Sequence, residues 1–306
     1  MKKEPIKPYS IESISELHRL LALGKPEHPL VSVIDFAAIT CFSDPNLRSV
    51  RYNFYCIALK KNFRGKMKYG QQSYDFDEGV MTFFLPGQVV TTDIVDDLKL
   101  SGWWLVVHPD FIQSYPVAKQ INGYGFFSYA VNEALHLSEK EEALLEFIIG
   151  TIRQEYNSAI DQHSQNVITS QIQLLLNYCD RFYSRQFITR KTANNTLLVK
   201  LEALLTTYFN SKLLPETGLP TVHYMAEQLN LSPTYLSDLL RSLTGQSAQH
   251  YIHQRVIEKA KDLLATTDLT VGEIAYLLGF GHPQSFNKLF RNKTGASPLG
   301  FRSSFN

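Results

Sequence analysis

The chain has 306 residues, of which 44% are hydrophobic and 19% are charged, with a formal net charge of +1; this is ordinary for a globular protein, and the length allows two domains. No run of apolar residues is long enough for a membrane-spanning helix, and the basic start Met1–Pro5 is not followed by the apolar core of a signal peptide. The cysteines Cys41, Cys56 and Cys179 form no CxxC pair, so we expect buried, reduced thiols in a cytoplasmic protein.

The first third of the sequence has the pattern of an antiparallel β-structure. A helix is predicted at Ile11–Leu23. Short runs rich in Val, Ile, Phe, Tyr and Trp follow it, separated by turn signals, and these predicted strands are Leu30–Ile39, Val50–Leu59, Val80–Leu85 and Leu100–Val107. Because no helix-length amphipathic pattern lies between them, a barrel or sandwich fits better than alternating strands and helices.

Six aromatic residues belong to this β-region, and they are Tyr52, Phe54, Tyr69, Phe83, Trp103 and Trp104. They are candidates for an apolar pocket that binds a small-molecule effector. The alternative is that they form ordinary core, and the sequence identifies no ligand.

Beyond Pro109 the hydrophobic period changes to 3.6 residues, which is typical of helices. Ser138 and Glu141 have the spacing of a capping box at the start of one helix. A second predicted helix, Asn166–Tyr183, has an apolar surface wider than the usual arc. Either the helix is buried in a large domain, or a second subunit covers part of it, and the latter predicts a homodimer through residues 138–185.

The polar stretch Gln186–Asn195 lacks apolar periodicity and is predicted to be a linker between domains at residues 1–190 and 191–306. From Lys191 onward there are 11 Lys+Arg and 8 Asp+Glu, a net charge of +3. The remainder has 30 − 11 = 19 basic and 29 − 8 = 21 acidic residues, a net charge of −2. This split favours a nucleic-acid partner at the C-terminal end, although charge alone does not establish one.

An internal repeat fills residues 221–302. Its first copy has apolar residues at helical spacing, a break at Asn230-Leu231, and a second helix that starts at Ser232-Pro233 and ends at Gly245. The second copy follows at an offset of 49 residues for the first helix and 50 for the second. Two short helices separated by a tight break form a helix-turn-helix. Other helical hairpins share this pattern, but two copies in register are much more specific.

The two copies are joined by Ser247–Thr266, which contains few helix breakers. One helix of this length would span about 30 Å, close to the roughly 34 Å of one DNA turn. Such a rod can place the second helix of each copy, here called the reading helices, in successive major grooves.

The second copy also contains a specific series of an alanine, a Gly-Phe pair, paired aromatics, a basic residue, Thr-Gly, Ser-Pro and a final aromatic-Arg pair. These residues lie in Ile274–Phe280, Ser285–Arg291, Thr294–Pro298 and Phe301–Arg302. With them the sequence resembles the AraC family of bacterial transcription regulators, over roughly Leu197–Arg302. The resemblance implies an α+β chain with a cupin-like N-terminal regulatory domain, followed by dimerising helices and an all-α tandem helix-turn-helix domain. The partners it implies are double-stranded DNA, a second copy of the chain, a small-molecule effector and RNA polymerase.

The outward residues of the reading helices are the candidate DNA contacts. They are Thr234, Tyr235, Ser237, Asp238 and Arg241 in the first copy, and His282, Gln284, Ser285, Asn287, Lys288 and Arg291 in the second. Gln and Asn can pair with adenine and Lys with guanine, whereas the alternative is a solvated polar face. Asp238 replaces a basic residue that is frequent in the family, and it either accepts from a cytosine, is solvated, or pairs with a nearby cation. Arg291 and Lys293 are expected to bind phosphate, and His282 either binds phosphate or caps its helix.

The competing hypothesis is a cupin-type small-molecule-binding protein or metal-dependent enzyme with an accessory helical domain. That chemistry needs several histidines and a carboxylate inside the barrel, yet residues 30–107 contain no histidine. No GxSxG, HExxH or phosphate-binding glycine loop occurs either. We therefore expect no metal, no cofactor and no enzymatic activity.

Overall fold

The computed structural model describes residues 8–39, 49–61, 63–69, 72–76, 79–91, 101–189, 191–211 and 214–304; for 63–69, 72–76, 131, 191–193 and 215–216 it describes the backbone alone. The chain divides into two compact units, Met1–Gln186 and Phe187–Asn306. The predicted boundary between residues 190 and 191 lies close to this division and stays a prediction.

The first unit is rich in β-structure, with one helix, α1 (Ile14–Leu20), near its start. Its strands are β1 (Tyr9–Ile11), β2 (Val31–Asp35), β3 (Ser49–Tyr52), β4 (Tyr55–Lys61), β5 (Phe63–Tyr69), β6 (Gln72–Phe76), β7 (Val80–Phe84), β8 (Val89–Thr91), β9 (Ser101–Val107) and β10 (Leu135–His136). An antiparallel sheet has the order β10-β7-β4-β9-β2, a second sheet has the order β1-β3-β8, and β5 pairs with β6. Within the second sheet β1 runs parallel to β3.

One predicted strand turns out to be two. The run Val50–Leu59 is interrupted after Tyr52, so that β3 belongs to the three-stranded sheet and β4 to the five-stranded one. The sequence pattern does not reveal such a switch, because both pieces contribute buried side chains to the same core, Val50 from β3 and Cys56 from β4. The predicted helix is also shorter than expected, since Ser13 accepts a hydrogen bond from the Glu16 N–H (3.1 Å) and caps α1 one turn later.

One core of this unit lies between the two larger sheets. Its buried side chains come from both of them and from α1, and they include Ile11, Ile14, Leu17, Ile34, Val50, Cys56, Ala58, Val80, Val90, Trp104 and Val106. Burial of this apolar surface is the main force that holds the two sheets together.

Helices complete the unit: α2 (Pro109–Ile112), α3 (Pro116–Gln120), α4 (Glu139–Tyr156) and α5 (Ser164–Thr189). The predicted capping interaction at α4 is present, because the Glu141 carboxylate accepts from the Ser138 N–H at 2.9 Å. Arg185 of α5 pairs with the same carboxylate at 2.6 Å. The Thr151 and Gln171 side chains hydrogen-bond at 2.8 Å, so α4 and α5 lie side by side.

The second unit is helical: α6 (Lys191–Phe209), α7 (Leu214–Thr217), α8 (Val222–Gln228), α9 (Pro233–Thr244), α10 (Ala248–Thr266), α11 (Val271–Leu277), α12 (Pro283–Thr294) and α13 (Pro298–Ser303). Most of the predicted linker Gln186–Asn195 is itself helical, since α5 continues to Thr189 and α6 begins at Lys191. Phe187 near the end of α5 packs edge-on against Tyr235 (5.1 Å between ring centroids), which explains why the division falls within α5. Among the helices described, none combines the length and the apolar character needed to span a bilayer.

Candidate nucleic-acid interface

The first helix-turn-helix consists of α8 and α9. Thr221 caps α8 by accepting from the Tyr224 N–H at 3.1 Å. The turn passes through Asn230, which has a φ of 57°, a left-handed conformation that asparagine tolerates. Ser232 caps α9 by accepting from the Tyr235 N–H at 3.2 Å, and Gly245 ends that helix.

The second helix-turn-helix, α11 and α12, repeats this construction. Thr270 and Glu273 form the predicted capping box, in which the Glu273 carboxylate accepts from the Thr270 N–H at 2.7 Å. The hydrogen bond from that N–H is the main cause of the lowered pKa of Glu273. Gly279 (φ 81°) forms the turn, and Gly295 (φ 77°) ends α12 as Gly245 ends α9.

Each motif buries the apolar face that the repeat predicts. The first core includes Met225, Ala226, Leu236, Leu240, Ala248 and Ile252, together with Leu201 and Leu205 of α6. The second core includes Ile274, Ala275, Phe286, Phe290, Val256, Ile257, Ala260 and Leu264. The long helix α10 thus contributes its first half to one core and its second half to the other.

The helix α10 has 19 residues and is therefore about 28 Å long. Arg255 anchors it to α6 through Glu202 at 2.6 Å, and also binds Glu258. Burial disfavours the charge on Arg255, but hydrogen bonds to Glu258, Tyr251 and Glu202 outweigh burial and raise its pKa.

Two structural roles were not foreseen from the sequence. One is the Glu202–Arg255 pair, whose partners lie far apart in the chain and carry no motif. The other is Arg302, the last residue of the family-like series, which donates to the Leu264 carbonyl at 3.1 Å near the end of α10. The position of Arg302 in the series indicated that the residue matters. The series does not indicate which group the guanidinium binds.

On α12 the predicted outward side chains are all exposed, and they are Gln284, Ser285, Asn287, Lys288 and Arg291. The opposite side holds the fully buried rings of Phe286 and Phe290. His282 is exposed and makes no side-chain cap hydrogen bond to α12, so of its two predicted roles the structure does not show the capping one. Lys293 lies within 3.0 Å of the His250 ring on α10, away from the exposed row.

The face of α9 is less open and less basic. Thr234 and Ser237 are half-buried. Asp238 pairs with Arg241 at 3.2 Å, which was one of the predicted alternatives. Tyr235 departs from the prediction, because its side chain is only 7% exposed and packs on Phe187. A buried ring supports the fold of this motif and does not belong to its outer surface.

The six aromatic residues of the first unit do not form one pocket. Trp104 contacts Tyr52 (5.5 Å between centroids), which in turn contacts Phe54, and these three rings lie together. Trp103 is the neighbour of Trp104 in β9, so its side chain is on the opposite face of the sheet. The prediction that Trp103 and Trp104 line one pocket is therefore wrong, because side chains alternate between the two faces along a strand.

Phe83 belongs to another aromatic group, with Phe126 (4.4 Å) and Tyr183 (6.2 Å between centroids). A cavity of about 20 Å³ beside it has room for about one water molecule. The side chain of Tyr69 lies outside the described residues. Nowhere in the described ranges do three His, Cys, Asp or Glu side chains meet in a way that could hold a metal ion.

Comparison with known proteins supports this description of the second unit. A family model described as a helix-turn-helix domain matches residues 225–304. The Msm operon regulatory protein of Streptococcus mutans is 37% identical over 81 residues, which are 26% of this chain and 29% of that protein. The transcriptional activator RhaS of Salmonella arizonae is 35% identical over 111 residues, 36% of this chain and 37% of that protein.

Among solved structures, the C-terminal domain of the response regulator yesN from Fusobacterium nucleatum is 31% identical, with a TM-score of 0.30; the match covers 36% of this chain and 98% of that domain. The part of this chain that aligns with the two curated relatives covers about a third of their length.

The second unit is a tandem helix-turn-helix domain. More specifically, it is a domain of the AraC type, as the sequence resemblance implied.

Proposed function

We propose that this protein is a sequence-specific, DNA-binding transcription regulator that reads two successive segments of the major groove. The observation that carries the proposal is the pair of capped helix-turn-helix motifs, each with its own core, joined by the 19-residue helix α10. Each motif presents one reading helix, α9 or α12, with polar side chains on its open side. A role on chromosomal DNA would place the protein in the cytoplasm and make RNA polymerase a partner.

The base contacts are proposed to come mainly from α12. Its exposed row combines amides, which suit adenine, with the cations Lys288 and Arg291. On α9, Thr234, Ser237 and Arg241 are the proposed contacts, and the carboxylate of Asp238 partly neutralises Arg241. The first motif is therefore the weaker partner of a polyanion.

The first unit is proposed to be a cupin-like regulatory domain that responds to a small-molecule effector. In support, its two larger sheets enclose an apolar core. The same unit is proposed to dimerise through α4 and α5, where Phe147 is 70% and Leu174 is 46% exposed. We propose no enzymatic activity for either unit.

The decisive experiment is selection of duplexes from a random-sequence pool by the full-length protein, followed by titration of a selected duplex and a scrambled duplex. We expect tighter binding to the selected duplex and an affinity for both that falls as salt is raised, because phosphate contacts release counterions. Equal binding of both duplexes at every salt concentration would contradict sequence-specific recognition. Failure to bind either would contradict the proposal and favour the competing hypothesis of a cupin-type small-molecule-binding protein or enzyme.

A further inference from the structure

The turn of the second motif touches the chain segment just before the first motif. Gly279, between α11 and α12, and Gly218, after α7, both have left-handed φ angles, 81° and 79°. A Cβ atom added to Gly279 would lie 2.7 Å from the Gly218 carbonyl carbon and 2.9 Å from its oxygen. The two backbones therefore approach more closely than any side chain would allow.

Gly218 is also tied to the first motif through Tyr208 of α6. The Tyr208 hydroxyl donates to the Gly218 carbonyl at 3.0 Å. The ring of the same tyrosine packs edge-on against Tyr224 of α8, with 5.2 Å between centroids. The Gly218 backbone thus lies between a helix of the first motif and the turn of the second.

Apolar contacts run along the same path. Phe209 packs against the cores of both motifs, and Leu219 packs against the core of the second. We call Tyr208, Phe209, Gly218 and Leu219 the brace. It connects the two motifs by a second route, through the end of α6 and the Gly218 backbone, in addition to the route along α10.

We propose that the brace is a positioning element that sets the separation and rotation of α9 and α12, and with them the number of base pairs between the two segments of DNA that the protein reads. The inference rests on the proposed function. A single helix such as α10 fixes the distance between the two motifs. Only side-chain packing keeps each motif from rotating about the axis of that helix. A second point of contact removes that freedom. One base pair changes the phase of a site by about 34°, so small rotations matter.

The two glycines offer a matched pair of variants. In both Gly279→Ala and Gly218→Ala, a side chain is forced into a left-handed conformation at similar cost. Only Gly279→Ala adds a clash with backbone, because the nearest atom to a Cβ on Gly218 is the Gly279 oxygen at an ordinary 3.7 Å. Tyr208→Phe is a milder third variant that keeps the ring and removes the hydrogen bonds of its hydroxyl to the Gly218 carbonyl and the Thr217 hydroxyl.

The test uses full-length protein and a duplex selected by the wild type, together with derivatives that have one base pair inserted or removed between the two recognised segments. We expect the wild type to lose at least tenfold in affinity for either derivative. Gly279→Ala should prefer an altered spacing or discriminate by less than threefold, Tyr208→Phe should discriminate less than the wild type, and Gly218→Ala should keep the wild-type ratio. A variant that is only destabilised would lower all three affinities together. Wild-type ratios in both Gly279→Ala and Tyr208→Phe would overturn the proposal, as would an equal change in Gly218→Ala.

A second readout needs no DNA. Ser242 and Asn292 are exposed, equivalent positions of the repeat, one on α9 and one on α12. One spin label is attached at Ser242→Cys and one at Asn292→Cys, and the pair reports the distance between the reading helices. The same chain carries Cys41→Ser so that this thiol takes up no label. We expect one narrow distribution in the wild type and in Gly218→Ala, and a shifted or broader one in Gly279→Ala. An unchanged distance distribution in Gly279→Ala would overturn the positioning role of the brace, even if the protein selects DNA. A wild type that selects no duplex would overturn the proposed function, and the distance measurement would still test the brace.

Discussion

Two side chains at equivalent levels of the reading helices have opposite charges and different surroundings. Asp238 on α9 is held by Arg241 at 3.2 Å. Lys288, offset by 50 residues in the repeat, is exposed on α12. Among the described ion pairs none involves Lys288. At the scale of single residues, α12 therefore presents an exposed positive charge, whereas part of the positive charge on α9 is neutralised by Asp238.

Substitution of the exposed row on α12 should weaken specific binding. We expect Asn287→Ala and Lys288→Ala each to reduce affinity for a selected duplex by roughly tenfold or more, since one good base contact is worth about 1–3 kcal/mol. Each should also relax the preference at one base position. Gln249→Ala, an exposed amide on α10, is the control and should bind like the wild type. Anisotropy titrations with selected and scrambled duplexes measure the effect, and an equal loss on both would assign these residues to phosphate instead.

Substitution of Asp238 should have the opposite sign. Asp238→Ala removes a carboxylate that faces the polyanion and releases Arg241, so affinity should stay the same or rise on all duplexes. Arg241→Ala should lower affinity on all of them. The same titrations at two salt concentrations measure both variants. A loss in Asp238→Ala as large as that in Lys288→Ala, and confined to the selected duplex, would show that Asp238 accepts from a base.

At the scale of elements, the end of α5 belongs with the helices that follow it. Phe187 is 4% exposed and packs on Tyr235 of α9. Asn194 of α6 donates to the Phe187 carbonyl at 2.5 Å. A domain cut at the predicted linker would lose these contacts, which a polar stretch gave no reason to expect.

Fragments starting on either side of this contact should differ in stability. We expect residues 192–306 to fold and bind DNA, and residues 187–306 to unfold at a temperature higher by about 5 °C or more, because burial of a phenylalanine contributes about 1.5–3 kcal/mol. Phe187→Ala in the longer fragment should remove most of the difference. Circular dichroism during heating measures it. Equal unfolding temperatures for the two fragments would place the contact outside the stabilising core.

At the scale of the whole molecule, the first unit leaves apolar side chains uncovered along its two long helices. Phe147 of α4 is 70% exposed and Leu174 of α5 is 46% exposed. They lie on helices that pack side by side through Thr151 and Gln171. Exposed apolar side chains on adjacent helices are a feature of subunit interfaces.

The oligomeric state tests this surface. We expect the wild type to be a dimer at tens of micromolar, and Phe147→Glu or Leu174→Glu to shift it towards monomer, since a carboxylate would be buried without a partner. Val199→Glu, which replaces a side chain that is 67% exposed on α6, is the matched control and should remain dimeric. Light scattering measures the mass. A monomeric wild type, with or without DNA, would remove the dimer, and dissociation by Val199→Glu would place its interface elsewhere.

The sequence by itself determined the local features of the second unit. Caps, turn residues and helical spacing depend on neighbours within a few positions, and the duplicated pattern of residues 221–302 made them unambiguous. The capping box at Thr270, the C-cap glycines and the exposed row of α12 followed from such short-range rules. The capping interaction at Ser138 in the first unit followed from the same kind of rule.

Only the tertiary structure decided the features that depend on distant residues. It separated Trp103 from Trp104, assigned β3 and β4 to different sheets, and buried Tyr235 against Phe187. It also brought Gly218 against Gly279, which are 61 positions apart and share no pattern. Hydrophobic periodicity predicts that a residue is buried but does not predict which residues cover it. The covering residues depend on which elements pack together, and the packing of the whole chain decides that.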